Sequence, residues 1–304
     1  MTEYNQLKVV GLFQLLYNRD HPVYKAYGEL RDKMQVTTKC NEYNLFYERV
    51  RTDELEGMGD ESGMGPLRPW LNEKYLLHGT GIAPGGISEK FPLMLSAMST
   101  GVTFVRAEEF SDLRTYEAPD VLRYVMGFGD TPEKALTGPM QKLLDGGFIQ
   151  SVRMIVDKIG FAADPMVRSS QEVAVATAPI DSPMGVIEPG QVAARKFHWE
   201  ALVGDDVVVR VTVNWLMGEQ DLDPAWDFGP EGQRYEMEVR GDPSFTVSVK
   251  GFQSEFGDEG PESGIVATAA HCVNSVPAVC AAAPGIATYL DLPLLGGRAA
   301  PRLG

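Results

Sequence analysis

Short apolar runs recur along the chain from about residue 75, and Gly or Pro separates them at regular intervals. In three of these runs the apolar positions have the spacing of one helix face, and the run at 102–110 has the pattern of a strand. The predicted helices are 91–99, 118–129 and 131–161. Pro119 lies in the first turn of the second helix, where its missing N–H costs least. The pattern is typical of an α/β protein.

Alternation of apolar and polar residues dominates the block that follows. Residues 195–218 form two such runs around the turn-like Gly204, and residues 234–252 form a hairpin about Gly241. These runs predict a mostly antiparallel sheet of about four strands. The small residues of 263–285 predict a long helix that covers one face of this sheet. The expected fold is an open-faced α/β sandwich with a mixed, mostly antiparallel sheet and covering helices.

Residues 1–74 differ from the rest because they are charged and rich in Tyr and Asn. The segment 6–17 fits a strand or a short helix, and apolar positions in 21–35 have helical spacing. The Gly and Pro residues of 54–70 indicate a loop or linker. No complete βαβ unit is present in this pattern. We therefore predict an atypical, partly helical N-terminal region in place of a full Rossmann domain, followed by a larger α/β domain, 75–304.

The composition narrows the functional classes. The chain has 304 residues, of which 44% are hydrophobic, and this is enough to bury a core. The formal net charge of −15 opposes binding to phosphate backbones and to anionic membranes. No run approaches the roughly 20 apolar residues of a membrane helix, and the first residues lack the layout of a secretory signal. We therefore expect a cytoplasmic protein without membrane or nucleic-acid partners.

Cysteine and histidine are sparse. An odd set of three cysteines argues against a disulfide framework and fits a reducing compartment. The cysteines are Cys40, Cys272 and Cys280, and we interpret the last two as core residues of the Ala-rich helix. The four histidines are scattered without the spacing of a zinc site, so no metal is predicted. They are His21, His78, His198 and His271.

The most distinctive local feature is the Gly-rich segment 77–93, in which Gly79-Thr80-Gly81 stands ahead of a predicted helix. Such a turn places backbone N–H groups and the Thr80 hydroxyl near a helix N-terminus, where a carboxylate or phosphate is favoured. The segment is therefore a candidate ligand loop. Taken alone, an ordinary strand-to-helix turn is the more common explanation.

Five stretches follow one another in a characteristic order. They are GTGIAPG at 79–85, then 108–129, 197–218, 235–245 and 267–293. In order and spacing they resemble the dihydrodipicolinate reductase-like family, and within it the branch of 2,4-diaminopentanoate dehydrogenase and native amine dehydrogenases. The resemblance covers about 75–304.

The resemblance implies an NAD(P)-dependent oxidoreductase that reduces an imine or, in reverse, oxidatively deaminates an amine. It implies NAD or NADP as cofactor, a small amine or imine substrate, a homodimer, and a substrate site between a Rossmann domain and the α/β sandwich. The part 75–304 is then the substrate-binding and dimerisation domain. The family positions carried over as substrate-binding are Gly79, Thr80, Gly81, Pro84, His271 and Asn274. Thr80 and Gly81 are also candidates for cofactor binding, and no catalytic residue is assigned.

The two helix candidates have a plainer interpretation. His271 and Asn274 are one helical turn apart and share a face. His271 fits a partly buried core histidine equally well. Pro277 removes a helix N–H and frees an upstream carbonyl, so we expect a kink in this helix.

Other polar and aromatic candidates remain open. Three acidic residues at the end of the predicted strand could be paired carboxylates for proton transfer, although a solvated loop is the commoner case. They are Glu108, Glu109 and Asp112. Tyr116 and Glu117 belong to a family-like stretch and are placed near the site without a role. Trp199, Trp215 and Trp226 are interpreted as packing residues of the sheet and of an interface, with one of them as an alternative wall of the pocket.

The chain also departs from the family pattern. A Rossmann unit needs G-x-G-x-x-G directly after an apolar strand, and this fingerprint is absent, since 57–63 has the wrong spacing and follows polar residues. Residues 1–74 are too few for two βαβαβ halves, and the family's N-terminal catalytic carboxylate has no counterpart there. Ala83 stands where the family loop usually carries Asn. The alternative function is a non-catalytic substrate-domain remnant or an oligomerisation module.

Overall fold

The computed structural model describes residues 9–10, 76–116, 118–164, 166–229, 233–250, 263–283, 285–297 and 299. The strands are β1 (Val9–Val10), β2 (Leu76–Gly79), β3 (Thr100–Asp112), β4 (Arg168–Ala176), β5 (Ile180–Ser182), β6 (Gly185–Ile187), β7 (Val192–Val203), β8 (Asp206–Leu216), β9 (Leu222–Asp223), β10 (Arg234–Asp242), β11 (Phe245–Lys250) and β12 (Gly285–Ala287). The α-helices are α1 (Phe91–Ser96), α2 (Pro132–Thr137), α3 (Met140–Ile159) and α4 (Ser263–Ala281). These elements fall into two units, 87–262 and 1–86 with 263–304.

The larger unit, 87–262, is built on a seven-stranded sheet. Its strand order is β11-β10-β3-β8-β7-β4-β9. Only the pairing of β3 with β8 is parallel within this sheet, and the other five pairs are antiparallel. The prediction of a mixed, mostly antiparallel sheet with covering helices is therefore confirmed, although the sheet has more strands than the four expected.

Alternation along the strands separates the two faces of this sheet. In β7 the side chains of Phe197 and Trp199 are fully buried. The alternating residues Lys196 and His198 are half-buried and point to the other, polar face. Helix α3 packs on the apolar face, where the Phe148 ring stacks on the Trp199 ring with centroids 4.3 Å apart. Burial of these large aromatic surfaces stabilises the sheet and helix as one core.

Local signals placed the hairpins of the sheet correctly. The predicted turn at Gly204 joins β7 to β8, and Gly204 has the positive φ of 60° that a tight turn needs. The predicted hairpin about Gly241 is the pair β10 and β11. The run at 131–161 is helical but is divided at Gly138 and Pro139 into α2 and α3. The run at 118–129 contains a shorter helical segment, whose π-helical part is Val121–Val125.

The smaller unit contains a three-stranded parallel sheet in the order β1-β2-β12. Helix α4 packs against β1 and β2 of this sheet. The expectation that this helix covers the larger, mostly antiparallel sheet was wrong, because α3 has that position. Val279 on α4 instead packs with Ala287 and Leu292 of its own unit.

The predictions for the N-terminal region lie almost wholly outside the described residues. Only β1 falls within the segment 6–17, and it is a strand, one of the two forms expected there. The division into 1–74 and 75–304 stays a prediction, as does a cytoplasmic location. In the described residues, no helix has the length and apolar character needed to cross a membrane. Within the same ranges no three His, Cys, Asp or Glu side chains converge as metal ligands do.

Candidate functional site

The Gly-Thr-Gly segment follows β2 and forms a closed loop. The Gly86 amide donates to the Gly81 carbonyl at 3.0 Å, and Ile82 and Gly85 form an isolated bridge across the loop. Pro84 follows a cis peptide bond. Gly85 has φ 143°, and a Cβ there would lie 2.3 Å from the Gly81 carbonyl oxygen. Only glycine fits this position, so the tight loop is specified by its sequence.

Three side chains meet at this loop. The Thr80 hydroxyl oxygen lies 2.8 Å from His271 Nδ1 and 2.8 Å from the Tyr289 hydroxyl. The Tyr289 hydroxyl accepts from the Gly81 amide at 3.0 Å and is also 3.0 Å from the Gly81 carbonyl oxygen, to which it can donate. We name this group, Thr80, His271 and Tyr289 with the Gly81 backbone, the loop cluster. It joins segments 191 and 209 residues apart in the chain.

Strand pairing and helix packing bring the loop cluster together. β12 pairs in parallel with β2, with Ala287 opposite His78, so the residues after each strand leave the sheet at the same edge. Helix α4 supplies His271, and next to it the Cys272 thiol contacts the Thr80 carbonyl oxygen at 3.8 Å. Burial raises the pKa of Cys272 to about 12, so the thiol is neutral. Both oxygens of Thr80 therefore have partners: the hydroxyl contacts His271 and Tyr289, and the carbonyl contacts Cys272.

The loop cluster is buried and its groups are hydrogen-bonded to one another. Thr80 and Tyr289 are 4% and 6% exposed, so their hydroxyl groups work in a water-poor setting. The Gly81 amide, which the sequence offered as a donor to a ligand, donates instead to Tyr289. The loop cluster therefore offers a hydroxyl pair and a titratable imidazole for chemistry, and it does not form a nest of unused amides.

Three other residues predicted for the site, Gly79, Pro84 and Asn274, take no part in the side-chain hydrogen bonds of the loop cluster. Gly79 is the exposed last residue of β2 and pairs with Val10. Pro84 is half-buried in the loop. Asn274 lies one turn after His271 on α4 and is half-buried, but its side chain makes no hydrogen bond within the described residues. Pro277 lies within α4 as expected. Sequence reasoning missed Tyr289, although it had included 267–293 among the family-like stretches.

The acidic trio is neither a catalytic pair nor a solvated loop. Glu108 and Glu109 are consecutive residues of β3 and point to opposite faces. Glu108 pairs with Arg106 and accepts from the Asn214 amide at 3.0 Å. Glu109 accepts from Trp215 at 3.1 Å. Asp112 caps the following turn by accepting from the Arg114 amide at 3.1 Å. These carboxylates fasten strands and a turn, and the two glutamates face away from each other.

The remaining aromatic candidates pack in the larger unit. Trp199 is fully buried and donates to Asp145 at 2.7 Å, and Trp226 carries the Lys196 ammonium 4.4 Å above its ring centroid. Trp215 and Tyr116 are partly buried against the core. The packing interpretation is therefore correct for all three tryptophans. Glu117 lies outside the described residues.

A buried carboxyl group, Glu89, is the candidate that the sequence did not reveal. It lies in the π-helical segment Gly86–Lys90, whose residues 87–90 belong to the larger unit, and is 6% exposed. The Ser151 hydroxyl of α3 donates to it at 2.6 Å. Burial raises the pKa of Glu89 to about 7, against the opposite effect of the Ser151 hydrogen bond. A carboxyl group that titrates near neutrality is a candidate for proton transfer.

Comparisons with known proteins agree with the family-like stretches. The chain is 25% identical over 224 residues to an amine dehydrogenase from Streptomyces virginiae, covering 72% of this chain and 60% of that protein. It is 25% identical over 279 residues to the 2,4-diaminopentanoate dehydrogenase of Acetoanaerobium sticklandii, covering 89% of this chain and 70% of that protein.

A solved structure is similar in fold. The amine dehydrogenase from Mycobacterium smegmatis matches with a TM-score of 0.50 and 19% sequence identity, over 74% of this chain and 60% of that one. The chain thus spans about three fifths of both amine dehydrogenases. The family model of the 2,4-diaminopentanoate dehydrogenase C-terminal domain matches residues 88–299, and the chain therefore belongs to this family.

Proposed function

We propose that this chain is an NAD(P)-dependent oxidoreductase that acts on C–N bonds, reducing an imine to an amine or oxidising an amine in the reverse direction. The observation that carries the proposal is the match of residues 88–299 to the 2,4-diaminopentanoate dehydrogenase C-terminal domain. Two relatives, an amine dehydrogenase and a 2,4-diaminopentanoate dehydrogenase, support it. The reduction adds a hydride to the imine carbon and a proton to the nitrogen, and the cofactor supplies the hydride when it is bound.

The loop cluster is the part of the proposed substrate site that the described residues supply. Thr80, Gly81 and His271 have converged in the structure, whereas sequence reasoning had linked them only through the family pattern. An imidazole is suited to accept a hydrogen bond from an amine N–H or to donate one, depending on its protonation. We therefore assign His271 to contact with the substrate, and Gly79, Pro84 and Asn274 to the border of the same site.

Cofactor binding requires more than these residues provide. The Gly81 and Gly86 amides are used within the loop, so the described residues do not form a pyrophosphate cradle from them. The sequence lacks the G-x-G-x-x-G fingerprint. We keep Thr80 and Gly81 as proposed contacts of an NAD or NADP cofactor, whose binding then also depends on residues outside the described ranges.

Turnover tests this proposal. The purified chain is incubated with NAD⁺ or NADP⁺ and a panel of primary amines and diamines that includes 2,4-diaminopentanoate, and nucleotide reduction is followed by absorbance. We expect amine-dependent reduction with at least one pair. Replacement of His271 by Asn should lower kcat/KM by about tenfold or more, because a hydrogen bond to a charged group is worth about 1.5–3 kcal/mol.

The matched control is His198→Asn. His198 is also half-buried, but it lies on β7 and bonds the Thr212 hydroxyl at 3.0 Å. This variant should keep the kcat/KM of the unmodified chain. Equal losses in both variants would mean that His271 supports the fold and does not contact substrate.

A second candidate function is a non-catalytic substrate domain or oligomerisation module. The missing dinucleotide fingerprint favours it. Under this alternative the chain binds an amine through the loop cluster but transfers no hydride. Amine binding seen by calorimetry, without turnover under any of the nucleotide conditions above, would support it.

We also propose a homodimer that forms through the polar face of the seven-stranded sheet. This face carries alternating charges on neighbouring strands. They include Lys196, Glu200, Arg210, Arg106, Glu108, Glu236 and Glu238. Acidic and basic groups are mixed here although the chain as a whole has a net charge of −15, so two copies of this face can meet with little repulsion. Light scattering on the eluting protein should give twice the mass of one chain, and a constant single-chain mass at high concentration would contradict the dimer.

A further inference from the structure

Tyr289 contacts both ends of the Gly-rich loop 81–86. It lies two residues after β12 and is 6% exposed. At the start of the loop, its hydroxyl oxygen lies 3.0 Å from both the amide nitrogen and the carbonyl oxygen of Gly81. Near the end of the loop, a Cβ on Gly85 would lie 3.0 Å from the same hydroxyl oxygen. Glycine at residue 85 therefore leaves the space that the phenol oxygen fills.

The strand that leads into the loop also holds the backbone before Tyr289. β12 pairs with β2, with Ala287 opposite His78, and His78 Nδ1 donates to the Ala287 carbonyl at 2.8 Å. After β12, the Thr288 amide and hydroxyl both donate to one Asp291 carboxylate oxygen at 2.7 Å. Such bonds from a side chain to nearby backbone hold a turn in one form. The segment that carries the phenol is therefore fixed on both sides of Tyr289.

The same hydroxyl is linked to the proposed substrate contact through one further residue. It lies 2.8 Å from the Thr80 hydroxyl oxygen, which in turn lies 2.8 Å from His271 Nδ1. Thr80 is joined directly to Gly81, so a displacement of the Gly81 peptide also moves the Thr80 side chain. The Tyr289 ring meets the His271 ring edge to face, with centroids 5.5 Å apart. Loss of the hydroxyl alone would therefore release Thr80 while the ring contact to His271 stays.

We propose that Tyr289 is a positioning residue: its hydroxyl holds the Gly81 peptide and thereby keeps the Thr80 hydroxyl in contact with His271. A phenol that bonds a buried backbone amide is suited to this task, because a buried N–H without an acceptor is unfavourable and the loop would have to rearrange to satisfy it. The hold on the loop rests on the geometry of the described residues. The effect on a substrate amine rests on the proposed function, in which His271 contacts the substrate.

Hydrogen exchange of the full chain, followed by mass spectrometry of peptides that span 77–86, tests the hold on the loop. In Tyr289→Phe the ring is kept but the Gly81 amide loses its acceptor, so we expect exchange in these peptides to be about tenfold faster or more. Peptides of α3 should exchange as in the unmodified chain. The control Tyr124→Phe alters a tyrosine that is 75% exposed and should leave exchange over 77–86 unchanged. Unchanged exchange over 77–86 in a folded Tyr289→Phe would overturn the proposal.

A double-mutant cycle tests whether Tyr289 acts through His271. The rate of amine-dependent nucleotide reduction gives kcat/KM, and Tyr289→Phe should lower it about fivefold or more. Because His271→Asn already removes the substrate contact, the double variant should have the kcat/KM of His271→Asn alone. A merely structural role would instead give losses that multiply in the double variant. Multiplied losses, or an unchanged kcat/KM in Tyr289→Phe, would overturn the positioning role.

Thr80→Val keeps the proposal testable if Tyr289→Phe does not fold. This variant breaks the link to His271 but leaves both bonds between Tyr289 and Gly81. Exchange over 77–86 should therefore stay slow, while kcat/KM falls as it does in Tyr289→Phe. An unchanged kcat/KM in this variant would contradict the proposal. If the chain neither binds nor oxidises any amine, the expected exchange rates would support the hold on the loop and refute only the proposed function.

Discussion

Replacement of Arg195 by Met should destabilise the larger unit more than any other single change considered for this protein, by on the order of 3 kcal/mol or more. Arg195 is 1% exposed, and its guanidinium donates to the carbonyls of Met126 and Ala135 at 2.5 and 2.9 Å and to the Gln171 side-chain oxygen at 2.6 Å. Methionine fills much of the same volume but removes the donors from the carbonyls of two buried residues, Met126 and Ala135, and from the half-buried Gln171.

Arg195 stays protonated at neutral pH, so its three hydrogen bonds are present under ordinary conditions. Burial lowers its pKa to about 10, so the guanidinium still carries its proton at neutral pH. The group lies over the Phe197 ring at 4.9 Å and ties the chain around Met126 and Ala135 to β7. We therefore expect the loss to appear first in the segment 126–135, as faster amide hydrogen exchange there than in β8.

Thermal or urea unfolding measures the effect, with Arg168→Met as the matched control. Arg168 is an exposed residue of β4, and its replacement should change the free energy of unfolding by no more than about 0.5 kcal/mol. If Arg195→Met unfolded at the same urea concentration as the unmodified chain, the three hydrogen bonds would contribute nothing net to stability.

Replacement of Glu89 by Gln should stabilise the protein at neutral and alkaline pH by up to about 3 kcal/mol, since each pKa unit is worth about 1.4 kcal/mol. Burial raises the folded-state pKa of this carboxyl from 4.5 to about 7. The folded state therefore holds more protons than the unfolded state between these values, and the stability of the unmodified chain falls as pH rises through this range. Glutamine carries no charge at any pH and still accepts from Ser151.

The pH dependence distinguishes this effect from general stabilisation. The difference in free energy of unfolding between Glu89→Gln and the unmodified chain should increase from pH 4.5 to 7 and then stay constant. Glu133→Gln, an exposed residue of α2, should show no such increase. Ser151→Ala removes the bond that lowers the Glu89 pKa, so the fall in stability should extend to higher pH. A difference independent of pH would mean that the pKa of Glu89 is the same in the folded and unfolded states.

Local patterns predicted much of the larger unit. The alternation in β7, β8, β10 and β11 and the turns at Gly204 and Gly241 depend on neighbours in the chain, so the sequence alone revealed them. β4 was missed because its first five residues, Arg168 to Glu172, are polar and only its last four are apolar. β9 was also missed, because two residues are too few to show alternation, so the predicted sheet had fewer strands than the structure.

Long-range relations were the part that local patterns could not supply. The position of α4 was predicted wrongly because a helix of small residues fits either sheet, and only the packing of Val279 with Ala287 and Leu292 selects its partner. The Thr80 and His271 candidates came from the family pattern, but the contact between them depends on α4 lying against β2. Tyr289 reaches the loop through the pairing of β12 with β2, 209 residues apart, and no local signal marks it.

Glu89 escaped detection for a different reason. A single acidic residue before an apolar run looks like the polar side of an amphipathic helix. Its burial follows from the π-helical segment and from the position of Ser151 on α3, which local spacing does not encode. Buried carboxyl groups of this kind become visible only when the whole fold is known.

The most direct test of an NAD(P)-dependent function is a thermal-shift titration of the purified chain with NADH and with NADPH. A nucleotide at about 100 times its Kd stabilises a protein by about 2.7 kcal/mol, so the account predicts a rise in Tm of several degrees with one of the two. No shift with either at millimolar concentration would contradict it, and would leave this chain as a substrate domain that works without its own redox cofactor.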